Sequence, residues 1–220
     1  MPVERVNSRQ WAVQLMTAGL FGHAALAAVA GSRRNLRLGA RQLQFRISRN
    51  DAHMTDRKTR DIDLVPAIPA DALAVAEMSR DLIETGLGWS WSRQRVARAI
   101  SDPETLVLIA RHRGRVVGFG IMEFGEEKSH LSLLAVKPGY QREGVGTRVF
   151  GWLKESALTA GIAIVKLELR ATNVVAQQFY RSLGFEEAGW AVGYYRGQET
   201  ALRMALHLRR QSAGRSHQTL

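Results

Sequence analysis

Residues 141–146, with the sequence Gln-Arg-Glu-Gly-Val-Gly, place a basic side chain and two glycines ahead of a segment with helical spacing of its apolar residues. Backbone N–H groups at a helix start lack partners within the helix, and the helix dipole adds partial positive charge there. Gly144 and Gly146 allow an anion to approach the backbone closely, and Arg142 adds a full charge. We therefore predict a site for a diphosphate group at this loop.

The apolar pattern on both sides of the loop predicts the elements that position it. Residues 131–136 form an apolar run of strand length, which ends before Pro138. A helix is predicted from Gly144 to Gly161, because glycine commonly ends a helix in the left-handed conformation. Residues 162–170 then read as a strand, so this strand–helix–strand unit predicts a parallel crossover.

The segments outside this unit predict the rest of the fold. Asp71 and Ser92 are candidate N-caps of two early helices that extend to Ile83 and Ile100. A later helix is predicted from Asn173 to residues 183–185. Further strands are predicted at residues 61–67, 106–110, 116–124, 189–195 and 201–208. Because short turns join several of these strands, we predict an α/β fold with a mixed, mostly antiparallel sheet of about seven strands and flanking helices.

Composition and motif spacing exclude several classes of site. The chain of 220 residues has no cysteine, which excludes disulfides, thiolate metal sites and a cysteine nucleophile. Its histidines are scattered, without a pair at i, i+4, so we predict no metal. Val149 stands where a dinucleotide fingerprint needs its third glycine, and no lysine follows Gly146 as a phosphate-loop NTPase requires.

The positive charge is concentrated near the N-terminus. Residues 1–55 hold eight arginines and two acidic residues, whereas the whole chain has a formal net charge of +11. We expect residues 1–58 to be a basic extension, residues 59–210 a folded domain and residues 211–220 a polar tail. The extension is disordered, a targeting segment or the result of a start site that belongs at Met54; residues 11–31 are also long enough for a weakly apolar membrane segment.

Two motifs together resemble the GNAT superfamily of N-acetyltransferases. The Val136-Lys137-Pro138 sequence with the 141–146 loop is similar to the acetyl-CoA-binding motif of that superfamily. A second motif resembles the branch that includes the bacterial ribosomal-protein alanine N-acetyltransferase. It consists of Leu-Glu-Leu-Arg-Ala-Thr-Asn at residues 167–173, followed by Phe-Tyr at 179–180, Leu-Gly-Phe at 183–185 and Tyr-Tyr at 194–195. The resemblance covers about residues 60–208 and implies a GNAT-like sheet.

The resemblance implies that the anion is the diphosphate of acetyl-CoA, the acetyl donor. Residues 134–136 would pair with the pantetheine arm and offer a backbone N–H to the thioester carbonyl. The loop and the start of its helix would hold the diphosphate. Asn173, later in the chain, would also contact the cofactor. The implied cofactor-binding residues are Leu134, Ala135, Val136, Gln141, Arg142, Glu143, Gly144, Val145, Gly146, Thr147 and Asn173.

The same resemblance implies two catalytic residues. Glu168 matches the proton acceptor and Tyr180 the proton donor to the departing thiolate. A carboxylate that is partly desolvated has a raised pKa, which suits a base, and a phenol protonates sulfur without being ionised at rest. Glu168 could instead pair with neighbouring basic residues of its strand, and Tyr180 could be a packing aromatic. Glu123, Glu127 and His130 are lower-ranked alternative bases.

The expected function is transfer of an acetyl group from acetyl-CoA to a primary amine, by direct attack in a ternary complex. A peptide N-terminal amine is favoured and a small amine remains open; residues 87–91 and 190–196 would line the acceptor site, with Trp89, Trp91, Tyr194 and Tyr195 as either acceptor or core aromatics. We expect a cytoplasmic protein whose domain binds no nucleic acid, with membrane contact only through the extension. The alternatives are a non-catalytic acyl-CoA-binding regulator and a nucleic-acid-binding or membrane-binding protein that acts through the basic extension.

Overall fold

Seven strands form one sheet in the order β1-β2-β3-β4-β5-β7-β6 in the computed structural model, which describes residues 61–208. Short 3-10 turns at Pro69–Asp71 and Pro138–Tyr140 precede the first and third helices. The elements are β1 (Ile62–Pro66), α1 (Ala72–Leu82), α2 (Arg93–Ser101), β2 (Thr105–His112), β3 (Arg115–Phe124), β4 (Lys128–Val136), α3 (Val145–Thr159), β5 (Ile164–Arg170), α4 (Val174–Ser182), β6 (Glu186–Tyr195) and β7 (Glu199–His207).

The pairing of β4 with β5 is the one parallel contact among these strands, and it is short. It joins Lys128 to Ile164, Ser129 to Val165 and His130 to Lys166, whereas every other neighbouring pair is antiparallel. Beyond these three pairs β5 remains paired with β7, and residues 131–136 of β4 remain paired with β3. The predicted mixed sheet and parallel crossover are confirmed, and the sheet has an opening between β4 and β5.

A bulge in β4 changes which face its side chains occupy. Leu131 pairs with Met122 and Leu133 with Ile121, so Ser132 is the extra residue of the bulge. Leu131 accordingly packs in the core beneath α3 and α4, whereas Leu133 packs in the core beneath α1 and α2. A bulge reverses the alternation of a strand, and here it does so where β4 separates from β5.

Each face of the sheet has its own apolar core. The core on the α3 and α4 side contains Phe150 and Leu167, both almost fully buried. The core on the α1 and α2 side contains Val96 and Phe119, which have no exposed surface. Burial of such side chains stabilises a fold by roughly 1.5–3 kcal/mol each relative to full exposure, so both helix layers contribute to the stability of the sheet.

Several predicted element ends agree with the structure and others shift. The Ser92 side chain accepts a hydrogen bond from the Arg95 N–H at 3.4 Å and caps α2, as predicted. Asp71 does not cap α1; its carboxylate accepts from the Ile68 N–H and pairs with Arg111 at 2.6 Å instead. The prediction fails because Asp71 itself has helical dihedral angles, which direct its side chain back to the preceding turn. Strand β4 begins three residues earlier than predicted and β5 two residues later.

The basic extension predicted for residues 1–58 and the polar tail predicted for residues 211–220 lie outside the described residues. Within residues 61–208, each helix is too short or too polar to cross a bilayer. The apolar run at residues 11–31, where the targeting and membrane interpretations apply, also lies outside this range.

Candidate active site

The glycine-bearing loop starts α3 in the geometry that the sequence predicts. Gly144 is the N-cap and lies in the left-handed region at φ +75°, and Arg142 also has a positive φ of 65°. Because the N-cap is glycine, no side chain at that position competes for the N–H groups of the first turn of α3. Those N–H groups and the exposed Arg142 are chemically suited to bind an anion such as a diphosphate.

Gly146 and Gln141 help to position the loop. A Cβ on Gly146 would lie 3.2 Å from the Phe179 ring and 3.7 Å from Val136, so glycine allows α3 to pack closely on α4 and β4. The side-chain amide of Gln141 donates to the Val136 carbonyl at 2.8 Å and holds the loop to the end of β4. The structure therefore gives both residues a role in positioning the loop, in addition to any contact with a ligand.

The remaining cofactor residues predicted from the resemblance lie around the same opening. Residues 134–136 belong to the part of β4 that pairs with β3 on one edge, and β5 no longer pairs with the other edge. Their backbone groups on that edge can bind an extended ligand in the manner of an added strand. Asn173 is exposed and caps α4, because its side-chain oxygen accepts from the Ala176 N–H at 3.0 Å. Glu143 is half-buried and Thr147 is exposed at the start of α3.

On the opposite side of the opening, Glu168 is part of a continuous chain of polar side chains. Its Oε2 atom lies 2.6 Å from Nε2 of His130. The other ring nitrogen of His130 lies 3.1 Å from the Ser132 hydroxyl, which in turn donates to Glu123 at 2.7 Å. Arg203 of β7, which pairs directly with Glu168, places its guanidinium 3.9 Å from the second carboxylate oxygen.

The environment shifts the pKa of both members of this pair. Burial raises the pKa of Glu168, but the hydrogen bond and charge of His130, with Arg203 and Lys166, lower it by more, so its pKa lies below the ordinary value. Burial lowers the pKa of His130, but the hydrogen bond and charge of Glu168 and the charge of Glu123 raise it by more. Burial does raise the pKa of Glu168, as expected for a partly desolvated carboxylate, but the contacts with His130, Arg203 and Lys166 reverse the net direction.

Tyr180 lies in the core beneath α3 and α4, with 8% of its surface exposed. Its ring packs against Phe185 with centroids 5.4 Å apart. Burial, and to a lesser extent Tyr195, raises the pKa of Tyr180 above its ordinary value. The phenol thus stays protonated across the physiological range, which is the state that a proton donor needs.

The two tyrosines at the end of β6 connect Tyr180 with Glu168 electrostatically. Tyr194 and Tyr195 pack edge to face with ring centroids 5.0 Å apart. Burial, then Tyr194, then the charge of Glu168 raise the pKa of Tyr195, and Tyr195 in turn raises the pKa of Tyr180. One phenol therefore lies within electrostatic range of both predicted catalytic residues, on the final hairpin that was expected to line the acceptor site.

The loop between α1 and α2 is held by a buried acid that the sequence did not suggest. Glu84 is 7% exposed and accepts hydrogen bonds from the Ser79 hydroxyl, the Trp91 N–H and both the N–H and the hydroxyl of Ser90. Trp91 is buried in the core beneath α1 and α2, so it is a core aromatic. Trp89 is 45% exposed and lies on the surface of the loop.

Arginines join this loop to the strands at the site. Arg170 of β5 donates to the Thr85 carbonyl and pairs with Glu199 of β7 at 3.5 Å. Arg196, in the turn between β6 and β7, lies against Gly88 so closely that a Cβ there would overlap its guanidinium. The two segments predicted to line the acceptor site, residues 87–91 and 190–196, are thus in contact.

Sequence reasoning ranked His130 and Glu123 below Glu168 as separate candidates, whereas the structure joins all three in one network. It missed Arg203 and Glu84. The alternation of β7, with Leu202 and Met204 buried, is the signal that could have put Arg203 on the same face as Glu168. Glu127, the remaining alternative base, lies in the turn between β3 and β4, and its backbone carbonyl accepts from Ala163. Within residues 61–208, no three His, Asp or Glu side chains cluster closely enough to hold a metal ion.

Comparison with known proteins identifies the family. The acetyltransferase (GNAT) domain family matches residues 74–206, which is more than half of the chain. The chain therefore belongs to the GNAT acetyltransferase family, and the superfamily predicted from its two motifs is confirmed.

Individual relatives agree with this assignment. The ribosomal protein bS18-alanine N-acetyltransferase of Escherichia coli K12 is 38% identical over 96 residues, 42% of this chain and 65% of that enzyme. The match thus spans just under two thirds of that relative. The crystal structure of the E. coli ribosomal-protein-S18-alanine N-acetyltransferase superposes with a TM-score of 0.58 and 28% identity, covering 67% of this chain and 94% of that one. The PaiA N-acetyltransferase of Thermoplasma acidophilum in complex with coenzyme A has the same fold at 19% identity, with a TM-score of 0.55 and coverage of 64% and 97%. The GNAT-like fold is confirmed.

Proposed function

We propose that this chain transfers an acetyl group from acetyl-CoA to a primary amine, with a peptide N-terminal amine as the acceptor. The main support is the opening between β4 and β5, which has an anion-binding helix start on one side and the Glu168–His130 pair on the other. A thioester aligned along residues 134–136 would lie between the group that binds its diphosphate and the group that accepts a proton. The structures of relatives bound to coenzyme A support acetyl-CoA as the donor.

The chemistry requires two proton movements, for which the proposal assigns one residue each. An ammonium has no lone pair, so it must first lose a proton, and Glu168 accepts it. The free amine then attacks the thioester carbonyl, whose developing negative charge a backbone N–H of residues 134–136 would stabilise. When the carbon–sulfur bond breaks, Tyr180 donates its proton to the thiolate and regains one from the new amide nitrogen. The products are the acetylated amine, free coenzyme A and one released proton.

The choice of acceptor rests on chemistry and on a relative. Alanine has no side-chain amine, so an enzyme named for acetylating an alanine of a ribosomal protein modifies an α-amine. Tyr194 is partly exposed and lies within electrostatic range of Glu168, and Trp89 is exposed on the loop that contacts the β6–β7 turn. Aromatic side chains of this kind suit contacts with a peptide better than with a small polar amine. We therefore propose a protein N-terminus as the acceptor. The cytoplasmic location remains a prediction, and fractionation of cells that express the full chain tests it.

The decisive experiment measures release of coenzyme A thiol from acetyl-CoA with a panel of peptides and small amines. We expect turnover with peptides, and a loss of about 10²–10⁴-fold in kcat for Glu168→Gln and for Tyr180→Phe. Acetyl-CoA binding, measured by calorimetry, should be unchanged in both variants. Glu127→Gln is the matched control and should behave like the parent protein. Failure of the parent protein to bind acetyl-CoA refutes the proposal, and full activity of Glu168→Gln refutes the assigned base and favours a different proton acceptor.

A further inference from the structure

The polar chain that starts at Glu168 continues across two more strands to the protein surface. His130 and Ser132 belong to β4 and Glu123 to β3, and His130 pairs directly with Glu123 in the sheet. The successive distances from Glu168 to Glu123 are 2.6, 3.1 and 2.7 Å, so every step is within hydrogen-bond range. Glu123 is exposed and lines a surface cavity of about 340 Å³ beside α2.

The hydrogen-bond directions in this chain determine how many protons it holds. A hydroxyl has one hydrogen, and Ser132 donates it to the Glu123 carboxylate. The Ser132 oxygen must then accept from His130, which places a hydrogen on Nδ1 of the ring. The 2.6 Å contact between Nε2 and Glu168 also needs a hydrogen, because two acceptors do not approach so closely without one. At rest, therefore, the pair holds one proton more than a neutral imidazole and an ionised carboxylate.

That extra proton limits Glu168 as a base. A carboxylate that already binds an imidazolium is stabilised in its charged form and accepts a further proton weakly. The acceptor ammonium brings one proton into the site in every turnover, and a bound peptide would cover the direct route from Glu168 to solvent. The polar chain through β4 and β3 leads away from the acceptor, towards the cavity beside α2.

We propose that His130 and Glu168 act as one proton-accepting unit, which is discharged through Ser132 and Glu123 to solvent in the cavity beside α2. The N–H bond at Nδ1 of His130 breaks as Ser132 passes its own proton to Glu123, and water at the cavity takes the proton from Glu123. Glu168 then accepts the proton of the acceptor ammonium, which restores the proton count of the unit. The neutral imidazole shifts its hydrogen from Nε2 to Nδ1 by exchange with solvent, and Nε2 takes the proton from Glu168, so the starting state is re-formed. One proton enters from the acceptor and one leaves at Glu123 in each cycle. This inference rests on the proposed function and makes His130 a positioning and relay residue.

The charges around the unit are compatible with this direction. Lys166 and Arg203 face the Glu168 end, and Tyr194 lies within electrostatic range of it. At the other end, Arg95, Arg98 and Asp102 line the cavity with Glu123. Positive charge at this end of the network favours the ionised form of Glu168. The ionised carboxylate in turn raises the pKa of His130. The rising limb of activity with pH should therefore lie above the pKa of an ordinary histidine, which is about 6.5.

The test is the pH dependence of kcat/KM in four proteins: the parent, His130→Gln, Ser132→Ala and the control His207→Gln. Glutamine retains an N–H for Glu168 but has no proton to release, so we expect the rising limb of His130→Gln to move to lower pH. Ser132→Ala keeps the limb but loses several-fold in kcat, and added imidazole restores it because it accepts the proton directly. His207→Gln and the parent should show the same profile and no response to imidazole.

The outcomes separate this inference from the proposed function. The relay is refuted by a parent-like profile in His130→Gln, by an equal shift in His207→Gln, or by an imidazole-insensitive loss in Ser132→Ala, which would indicate a structural role. Acetyl-CoA binding by each variant shows that it is folded. In the same assay, Glu168→Gln reports on the proposed function alone: if it is inactive while His130→Gln has the parent profile, only the relay fails. If Glu168→Gln is active, the assignment of Glu168 as the base is refuted as well.

Discussion

Nε2 of His130 lies 2.6 Å from Oε2 of Glu168, next to the point where the pairing of β4 with β5 ends. His130 belongs to the last residue pair, and Glu168 lies two residues beyond it, where β5 is paired with β7 alone. The contact therefore spans the point at which the two strands separate. It fixes the orientation of the carboxylate at the inner end of the opening, where we propose that the acceptor amine meets the thioester.

This pair should make folding stability depend on pH in a defined window. The folded-state pKa of His130 is raised, so its contribution is complete below the unfolded value of about 6.5 and is lost as pH rises through the folded value. The pKa of Glu168 is lowered, so its contribution is complete above about 4.3 and is lost as pH falls through the folded value. We expect the pair to stabilise the protein most between those two pH values. Urea unfolding of the parent and of His130→Gln across pH should show the largest difference there, and a constant difference at all pH values would contradict the pairing.

Gly144→Ala should weaken acetyl-CoA binding. The residue lies at φ +75°, where an alanine costs about 1–2 kcal/mol, although its Cβ would meet open space. The strain is relieved by a change in the loop that displaces the first-turn N–H groups of α3. Gly139→Ala is the matched control, because its Cβ also meets open space and its backbone is not in the left-handed region. Calorimetry with acetyl-CoA should show a loss of affinity for Gly144→Ala only; equal affinities would mean that the loop conformation does not contribute to binding.

Glu84→Gln should impair use of the acceptor while leaving the donor site intact. The carboxylate of Glu84 holds the loop of Trp89 through bonds to Ser90 and Trp91, and a glutamine would turn an amide group towards donors. We expect a loss of about 1–3 kcal/mol in stability and a raised KM for the peptide. Glu77→Gln, on the exposed side of α1 before this loop, controls for the loss of a negative charge. An unchanged peptide KM in a folded Glu84→Gln protein would show that this loop does not contact the acceptor.

Much of the fold could be predicted because its signals are local. The apolar runs of β3 and β4, the serine cap of α2 and the glycine ends of α3 and α4 each depend on a few neighbouring residues. Asp71 shows the limit of such reasoning. Its type and position match an N-cap, but Arg111, forty residues away in the chain, lies close enough to pair with its carboxylate.

The parts of the candidate site that form a sequence motif could be predicted, whereas the contacts between residues distant in the sequence could not. The loop at residues 141–146 and the pair of Glu168 and Tyr180 could be proposed as site residues because the motifs that resemble a family consist of residues close together in the sequence. The partner of Glu168 could not, since His130 is thirty-eight residues away and is brought to it by the parallel pairing of β4 with β5. Burial alone would raise the pKa of Glu168, whereas the contacts with His130, Arg203 and Lys166 lower it.

The sequence by itself determined the class of fold, the glycine-bearing helix start and the types of the side chains that we propose to react. These follow from periodicity, glycine placement and side-chain chemistry, which act over one or two turns of chain. Only the tertiary structure decided how those groups are connected: the length of the β4–β5 pairing, the bulge at Ser132 and the network from Glu168 to Glu123. Hydrogen bonds and charges act over a few ångströms in space, so the protonation state of the site depends on which strands the fold makes neighbours.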